Sequence, residues 1–471
     1  MEKEGTTWGP EVLLPIDRDS PRPLGSQLEG ALRDGIRSGR LTPGLRLPST
    51  RVLASDLAVS RRLVVDVYQQ LLAEGYLVTT QGSGTRVATV DRPAPARAPA
   101  APPPPTRYDF QPGIPELGRF PRQAWSKALR RQVRSVADAD LDYPAPAGHP
   151  RLRATLANYL WRVRRVAAEP ARIIVCAGFT QALNLLCWAL RDRGARRVAI
   201  EDPGLPHRAA IIARAGLESV PVPVDDRGVI VERLVATEAD AVVVTPAHQF
   251  PTGVVLAHQR REELLAWARG GRLIIEDDYD AEFRYDRAAI GALQGLAPEN
   301  VAYVGTTTKT LSPALRLGWI AAPEHLVEPL AGQRFLTDRG SSNLDQLALA
   351  DLIESSAYDR HLRQVRRRYR TRRDALAAAA SRHGDLLRLT GIAAGIQVLA
   401  VLPDRVDAEE IVRRALEQGI RVDALPRFRH DPTQGQPGLL IGYGNVDESR
   451  IAKGIDALAR IVAEVALLSR R

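Results

Sequence analysis

The sequence predicts two units of different fold class: a small α+β winged helix-turn-helix over residues 1–90 and a large α/β unit over residues 108–471. Three observations carry this reading. Residues 91–107, DRPAPARAPAAPPPPTR, hold seven prolines and no apolar periodicity, the composition of a semi-extended spacer. Before the spacer, three helical patterns are followed by two short strand patterns about a glycine-rich tip. After it, from Arg172 onward, short apolar runs alternate with helical ones, which argues for a parallel sheet wrapped by helices.

The first helical pattern covers residues 23–38, where Leu24, Leu28, Leu32 and Ile36 recur four apart as one stripe. After the turn at Pro43 and Gly44, Ser49 and Ser60 stand as N-caps of a second and a third helix. The third carries Val64, Val67, Leu71 and Leu72 as its inner face, and Gly75 ends it. YLVTT and TRVATV then flank QGSG as a two-stranded wing. Six arginines (37, 40, 46, 51, 61 and 62) meet only Asp56 between residues 37 and 62, although residues 1–90 as a whole are nearly neutral.

A recognition helix reads the major groove with its N-terminal residues while neighbouring arginines neutralise phosphates. Ser60, Arg61 and Arg62 are therefore the candidate base readers, and Arg46 and Arg51 the candidate backbone contacts. Ser49 and the wing glycines Gly82 and Gly84 complete the DNA-facing set. LPSTRVLASDLAVSRRLVVDVYQQLLAEGYL and QGSGTRV resemble the DNA-binding domain of the GntR family over residues 23–89.

Composition narrows the function classes. With 45% hydrophobic and 25% charged residues in 471, the chain reads as globular. The N-terminal stretch lacks a charged start followed by a continuous apolar core, and no run approaches a membrane span; a cytoplasmic protein is the expectation. Cys176 and Cys187, both in apolar settings, read as buried free thiols. The eight histidines show no paired ligand spacing such as HExxH, so no dedicated metal site is expected. A net charge of +10 permits an anionic partner.

In the large unit the polar motifs fall at the carboxyl ends of the expected strands, where α/β sheets bind ligands. GFTQAL follows the first strand, EDPG the second, TPAHQFPTG the third, EDDYD the fourth and TTTKT the last. The lysine in TTTKT, Lys309, is one of four among 65 basic residues, with Lys3, Lys127 and Lys453. A lysine amine forms a Schiff base with a carbonyl, which a permanently protonated guanidinium cannot do. Pyridoxal phosphate would need such a lysine, an acid for its pyridine nitrogen and donors for its phosphate.

Residues 108–471 resemble the fold-type I aminotransferase family over nearly their whole length, a pyridoxal phosphate-dependent α/β fold. With the head and the proline linker, the chain resembles the MocR subfamily of GntR-family transcription regulators. The resemblance implies a large sheet domain at about residues 150–335 and a smaller one from residues 108–149 and 336–471. It implies pyridoxal 5'-phosphate on Lys309, with Asp277 on the ring nitrogen, Tyr279 on the phenolic oxygen and Gln249 at the same edge. Gly178, Phe179 and Thr180 would offer helix N-terminal amides to the phosphate, completed by Thr306, Thr308 and Arg316.

Two departures bear on activity. Leu205 follows EDPG where the family carries an aromatic residue over the ring; leucine covers the ring without stacking on it. Leu440 stands where family enzymes place the arginine for a substrate carboxylate, with Arg427 or Arg429 as candidate substitutes for an effector carboxylate. The reading is thus a homodimeric, DNA-binding regulator that senses pyridoxal phosphate, with genes of vitamin B6 synthesis as its expected target, rather than an enzyme. A regulator of amine or amino-acid use, such as γ-aminobutyrate, is the alternative within that class. A working aminotransferase with an appended head would show sustained turnover, and a module with an empty domain would show no Schiff-base band. The eight arginines from Arg360 to Arg373 read as a solvated or interface helix face.

Overall fold

A computed structural model describes residues 16–80, 84–89, 106–285 and 290–468, which form two compact units. The first has helices α1 (Leu24–Ser38), α2 (Thr50–Asp56) and α3 (Arg61–Ala73), then strands β1 (Leu77–Thr80) and β2 (Gly84–Val87). The strands pair antiparallel from Leu77 opposite Val87 to Thr80 opposite Gly84. Leu28, Leu32, Ile36, Leu53, Val64, Val67 and Leu71 close one core.

Tyr68, rather than Leu72, completes the inner face of α3. Positions 64, 67, 68 and 71 follow the i, i+3, i+4, i+7 spacing of one helix face, and the Tyr68 hydroxyl donates to the carbonyl of Pro48 at 3.1 Å. Leu72 is left half-buried at the margin. The Ser49 and Ser60 hydroxyls accept from the amides of Val52 (3.3 Å) and Leu63 (3.2 Å), capping α2 and α3.

The second unit opens with β3 (Tyr108–Asp109) and helices α4 (Arg122–Ser135) and α5 (Pro150–Arg164). Its main sheet is built from β4 (Ile173–Cys176), β5 (Arg197–Asp202), β6 (Glu218–Asp225), β7 (Gly228–Val229), β8 (Ala241–Val244), β9 (Leu273–Asp278), β10 (Val301–Thr306) and β11 (Gly318–Ala321). Their spatial order is β4-β11-β10-β9-β8-β5-β6-β7. From β10 to β6 the strands run parallel, but β11 runs antiparallel to both β10 and β4. The expectation of a parallel sheet therefore needs correcting at β11, a strand that the glycine and the short apolar run of GWIA did not announce.

Side chains alternate across this sheet. Ile174, Val198, Val243, Ile275 and Val304 pack under α6 (Phe179–Asp192), α7 (His207–Arg214) and a later helix, Glu324–Asp338. Ile173, Val175, Tyr303 and Trp319 face α4, α5 and the helix Asn343–Glu354. Residues 122–135 and 343–354 thus pack on the main sheet, whereas the sequence reading put both in the smaller domain. Their apolar residues, Ala128 in one and Leu349 and Leu352 in the other, fill the outer face of β4 and β11 beside α5.

The second core forms around strands Arg388–Thr390, Gln397–Val401, Gly438–Gly442 and Asp423–Ala424, an antiparallel sheet in that order, packed by helices Ala357–Ser381, Ala408–Glu417 and Glu448–Leu468. The arginine-rich helix Ala357–Ser381 is not merely solvated. Arg372 is buried and pairs with Glu116 at 2.9 Å, while Val365 and Tyr369 enter the core. Cys176 and Cys187 are buried and unpaired. Among the described residues no helix is long and apolar enough to cross a membrane.

Ser60→Ala removes the acceptor for the α3 amide. It is expected to cost about 1 kcal/mol, measured in the full chain as faster amide hydrogen exchange along residues 61–73.

Candidate functional site

Strand alternation sorts the acids of EDDYD. Glu276 and Asp278 point to one face of the sheet. Glu276 accepts from the amides of Leu293 (3.0 Å) and Gln294 (3.1 Å), and Asp278 Oδ2 holds Arg164 Nε at 2.6 Å and the Tyr303 hydroxyl at 2.8 Å. Asp277 points the other way, into a cavity of about 360 Å³. Its Oδ2 accepts from the guanidinium of Arg208, the second residue of α7, and its Oδ1 has no partner in the protein. Arg208 is 1% exposed and lies 5.0 Å from the centre of the Phe179 ring. Burial pushes the Asp277 carboxyl up, to about 7, with Arg208 pulling the other way.

The antiparallel return of β11 shapes the opposite wall. Thr306 pairs with Gly318, so residues 307–317 form a closed loop that carries Lys309 near its start and Arg316 near its end. Lys309 Nζ donates to the carbonyl of Gly113 at 2.5 Å. Gly113 has a φ of 74°, and a Cβ there would lie 3.0 Å from that amine, so glycine leaves the lysine its place. Burial lowers the Lys309 pKa, opposed by Asp280 and then by Asp277.

Arg316 closes a cluster of hydrogen-bond donors at the start of α6. Its Nη1 and Thr306 Oγ1 would lie 3.7 and 3.9 Å from a Cβ on Gly178, the N-cap of α6. Thr306 and Thr308 hydroxyls are 2.7 Å apart. Phe179 and Thr180, whose amides have no partner within the helix, begin α6 at the same point.

The cavity brings together Phe179, Thr180, Leu205, Asp277, Tyr279, Thr306, Thr308, Lys309 and Arg316, with Gly178 just behind the helix start. It does not include Gln249. That amide is consumed by its own loop and by the turn after β5, donating to the carbonyls of Phe250 (2.6 Å) and Pro203 (2.9 Å) and accepting from the Thr252 hydroxyl at 2.7 Å. Gln397, which the sequence reading missed, takes the place beside Tyr279, donating to its hydroxyl at 3.2 Å. The Tyr279 hydroxyl in turn donates to the carbonyl of His248 at 3.0 Å.

Arg427 and Arg429 also lie elsewhere, on a separate open cavity. Arg427 Nε sits between the two Glu409 oxygens, at 3.2 Å from each, and Arg429 Nη2 donates to the carbonyl of Gln436 at 2.6 Å. Phe428 between them lines the Lys309 cavity, so both flanking guanidinium groups are turned away from it. Leu440 is buried in an apolar cluster with Phe250, Leu399 and Leu425. Arg208 carried a faint signal, an arginine at a helix start just after a strand-end motif. Gln397 and Asp423 carried none, because they reach the cavity through strand pairing in the smaller sheet.

In the first unit, Arg46, Ser49, Arg51, Ser60, Arg61 and Arg62 are all exposed. Among the described residues no carboxylate pairs with these four arginines, whereas Arg33 is tied to Glu29 and to Glu74. Gly84 has a φ of 83°, and a Cβ there would lie 3.2 Å from Arg46 Nε, so the wing strand and that arginine share one surface. Gly82 lies outside the described residues.

Residues 24–87 match the family model of bacterial regulatory proteins, gntR family, and residues 114–458 that of aminotransferases class I and II. The chain is 36% identical to the probable rhizopine catabolism regulatory protein MocR of Rhizobium meliloti, over 95% of each chain. This chain belongs to the MocR-type regulators of the GntR family. A second MocR-type relative is the pyridoxine biosynthesis transcriptional regulator PdxR of Corynebacterium glutamicum, 32% identical over 97% of this chain and 98% of that one. Among solved structures, LysN, the α-aminoadipate aminotransferase of Thermus thermophilus, complexed with N-(5'-phosphopyridoxyl)-L-leucine, is 26% identical. It has a TM-score of 0.68 over 76% of this chain and 93% of that one. The kynurenine aminotransferase of Pyrococcus horikoshii, at 24% identity and a TM-score of 0.69 over 76% and 90%, shares the fold.

Because burial disfavours the charged amine, Lys309 should react with formaldehyde in reductive methylation with a pH midpoint below the ordinary lysine range. Asp280→Asn removes the larger raising influence, so the midpoint should move lower again; peptide-resolved labelling across pH measures both.

Proposed function

We propose that this MocR-type chain is a transcription regulator that holds pyridoxal 5'-phosphate at Lys309 and changes its grip on promoter DNA with the cofactor's occupancy. One observation carries the reading: a desolvated lysine amine, a bare carboxylate oxygen and an anion cup share a single cavity. When bound, pyridoxal phosphate supplies an aldehyde carbon that accepts a primary amine and a ring nitrogen that accepts a proton. Asp277 Oδ1 is free to take that N–H, and Arg208 holds the carboxylate in place behind it. Tyr279, turned by Gln397, serves the phenolic oxygen. Arg316, Thr306, Thr308 and the first amides of α6 hold the phosphate, and Leu205 covers the ring.

Sensing is favoured over turnover because, among the described residues, Leu440 and the outward-turned Arg427 and Arg429 leave the cavity lining without a guanidinium for a substrate carboxylate beyond Arg316. A homodimer is supported by an exposed apolar patch in which Arg339 lies over the rings of both Tyr143 and Phe335, at 4.7 and 4.9 Å. Similarity to PdxR supports genes of pyridoxine synthesis as the target. A second reading, in which an amine acts on the loaded site, is favoured by the extension of the cavity past Lys309 to Phe250, Gln397, Asp423 and Phe428. In either case the ligand must bind two states of the protein with different affinity.

A DNA-binding titration on the gene's own upstream region, with and without pyridoxal phosphate, tests the proposal. Wild type should shift its apparent affinity on loading, while Lys309→Ala should bind DNA and ignore the cofactor; an unchanged response in Lys309→Ala would sink it. Arg61→Ala should cost about 1–3 kcal/mol on the specific site and relax its base preference, whereas Arg51→Ala should lower the logarithmic salt slope by about one. Binding isotherms at several salt concentrations distinguish the two roles.

A further inference from the structure

The end of the cavity beyond Lys309 is one face of the smaller sheet. Leu440 pairs with Leu399 on one side and with Asp423 on the other, and residues opposite one another in antiparallel strands share a face. Gln397 lies two residues before Leu399 and therefore points the same way. The face thus has an apolar centre, Leu399 and Leu440, packed against Phe250 and Phe428, which line the cavity, with Gln397 at one margin and Asp423 at the other. Both polar residues line the cavity.

Neither polar residue is fully used by the protein. Gln397 is 3% exposed; its amide nitrogen is spent on Tyr279, and its Oε1 has no partner. A buried amide oxygen left bare is costly unless a donor reaches it. Asp423 is half-buried and meets Arg427 only at 3.4 Å, while that arginine is engaged more closely by Glu409. Burial raises the Asp423 carboxyl, against the pull of Arg427 and Arg421, as it would for an acid still short of a close donor.

The cations of the cavity stand elsewhere. Arg316 belongs to the anion cup and Lys309 to the carbonyl position. His207, at the cavity edge, has its pKa lowered by burial and by Arg208, which favours its neutral form. A ligand reaching from Lys309 to the far wall therefore meets an acceptor oxygen, a carboxylate and an apolar floor. A carboxylate at that end would face Asp423, with Arg427 behind it drawn outward to Glu409, whereas an ammonium group would find two acceptors.

We infer that the far wall is a subsite for the distal ammonium group of an aliphatic diamine, with Asp423 and Gln397 Oε1 as its acceptors and Phe250 and Phe428 as its apolar floor. The inference rests on cofactor loading at Lys309. The proximal nitrogen of the diamine takes the bond to the cofactor carbon that the Lys309 nitrogen gives up. One ammonium enters and one lysine ammonium is released, so no oxidant or reductant is needed. The distal nitrogen selects the ligand by charge, which excludes amino acids that carry a carboxylate at that end.

Three four-carbon amines differ only at the far end: 1,4-diaminobutane, butylamine and γ-aminobutyrate. Each is titrated into the full-length protein loaded with pyridoxal phosphate, with the absorption band of the bound cofactor as readout. The diamine should bind about tenfold tighter than butylamine, the scale of a hydrogen bond to a charged group, and γ-aminobutyrate weakest of the three. Asp423→Asn should bring the diamine close to butylamine without changing the spectrum of the loaded protein. γ-Aminobutyrate binding as tightly as the diamine, or an unaltered ranking in Asp423→Asn, overturns the inference. If the loaded protein forms but no amine perturbs it, the subsite fails and cofactor sensing stands; if no bound-cofactor band forms, both fail.

Discussion

The antiparallel pairing that closes residues 307–317 between Thr306 and Gly318 is the constraint on which the site depends. It folds the chain back, so that Lys309 and Arg316, seven residues apart in sequence, serve different ends of one cavity. The return leaves no room for side chains at two points. A Cβ on Gly305 would fall 2.4 Å from Trp319 Nε1, and one on Gly318 would fall 2.8 Å from the Cα of Gly178. The second contact also presses the α6 start against the hairpin, which is how the helix amides meet Arg316 and Thr306. Sheet pairing, loop length and anion cup are therefore one arrangement.

Charge burial is the cost of that arrangement, and it is met by pairing on both faces of β9. Asp278 takes Arg164 on the outer face and Asp277 takes Arg208 on the inner one. Such pairs seldom add stability over a well-packed apolar core, but breaking one leaves an isolated buried charge. Both carboxylates leave Oδ1 without a partner in the protein, and what separates them is where that oxygen lies. Asp278 sits on the packed face with Arg164 and Tyr303 on its other oxygen, while Asp277 lines the cavity and offers its Oδ1 there. A site built to receive a ligand shows this pattern: a fixed carboxylate, one oxygen held and one offered.

Much of this was legible in the sequence because polar motifs at strand ends are local features. The alternation of apolar runs put GFTQAL, EDDYD and TTTKT at strand ends, and the family resemblance chose Gly178, Asp277 and Lys309 within them. What escaped depended on pairing between distant segments. Gln397 and Asp423 reach the cavity through the register of the smaller sheet, and β11 is too short and glycine-led to stand out as a strand. Gln249 looked like a ligand-facing amide, yet nearby carbonyls claim it. Arg427 and Arg429 had the right charge near the right strand, but flank the residue that faces inward and so point away. In the head, periodicity identified the helices, and only the packing around Pro48 brought Tyr68 inward in preference to Leu72.

The scarcity of lysine offers the most direct measurement. Full-length protein is incubated with pyridoxal phosphate, reduced with borohydride and digested, and the phosphopyridoxyl group is located by peptide mass spectrometry among Lys3, Lys127, Lys309 and Lys453. Modification of Lys309 at one group per chain, abolished in Lys309→Ala, is the expected result. Labelling spread over the other lysines, or none at Lys309, would contradict the assignment of this cavity to the cofactor.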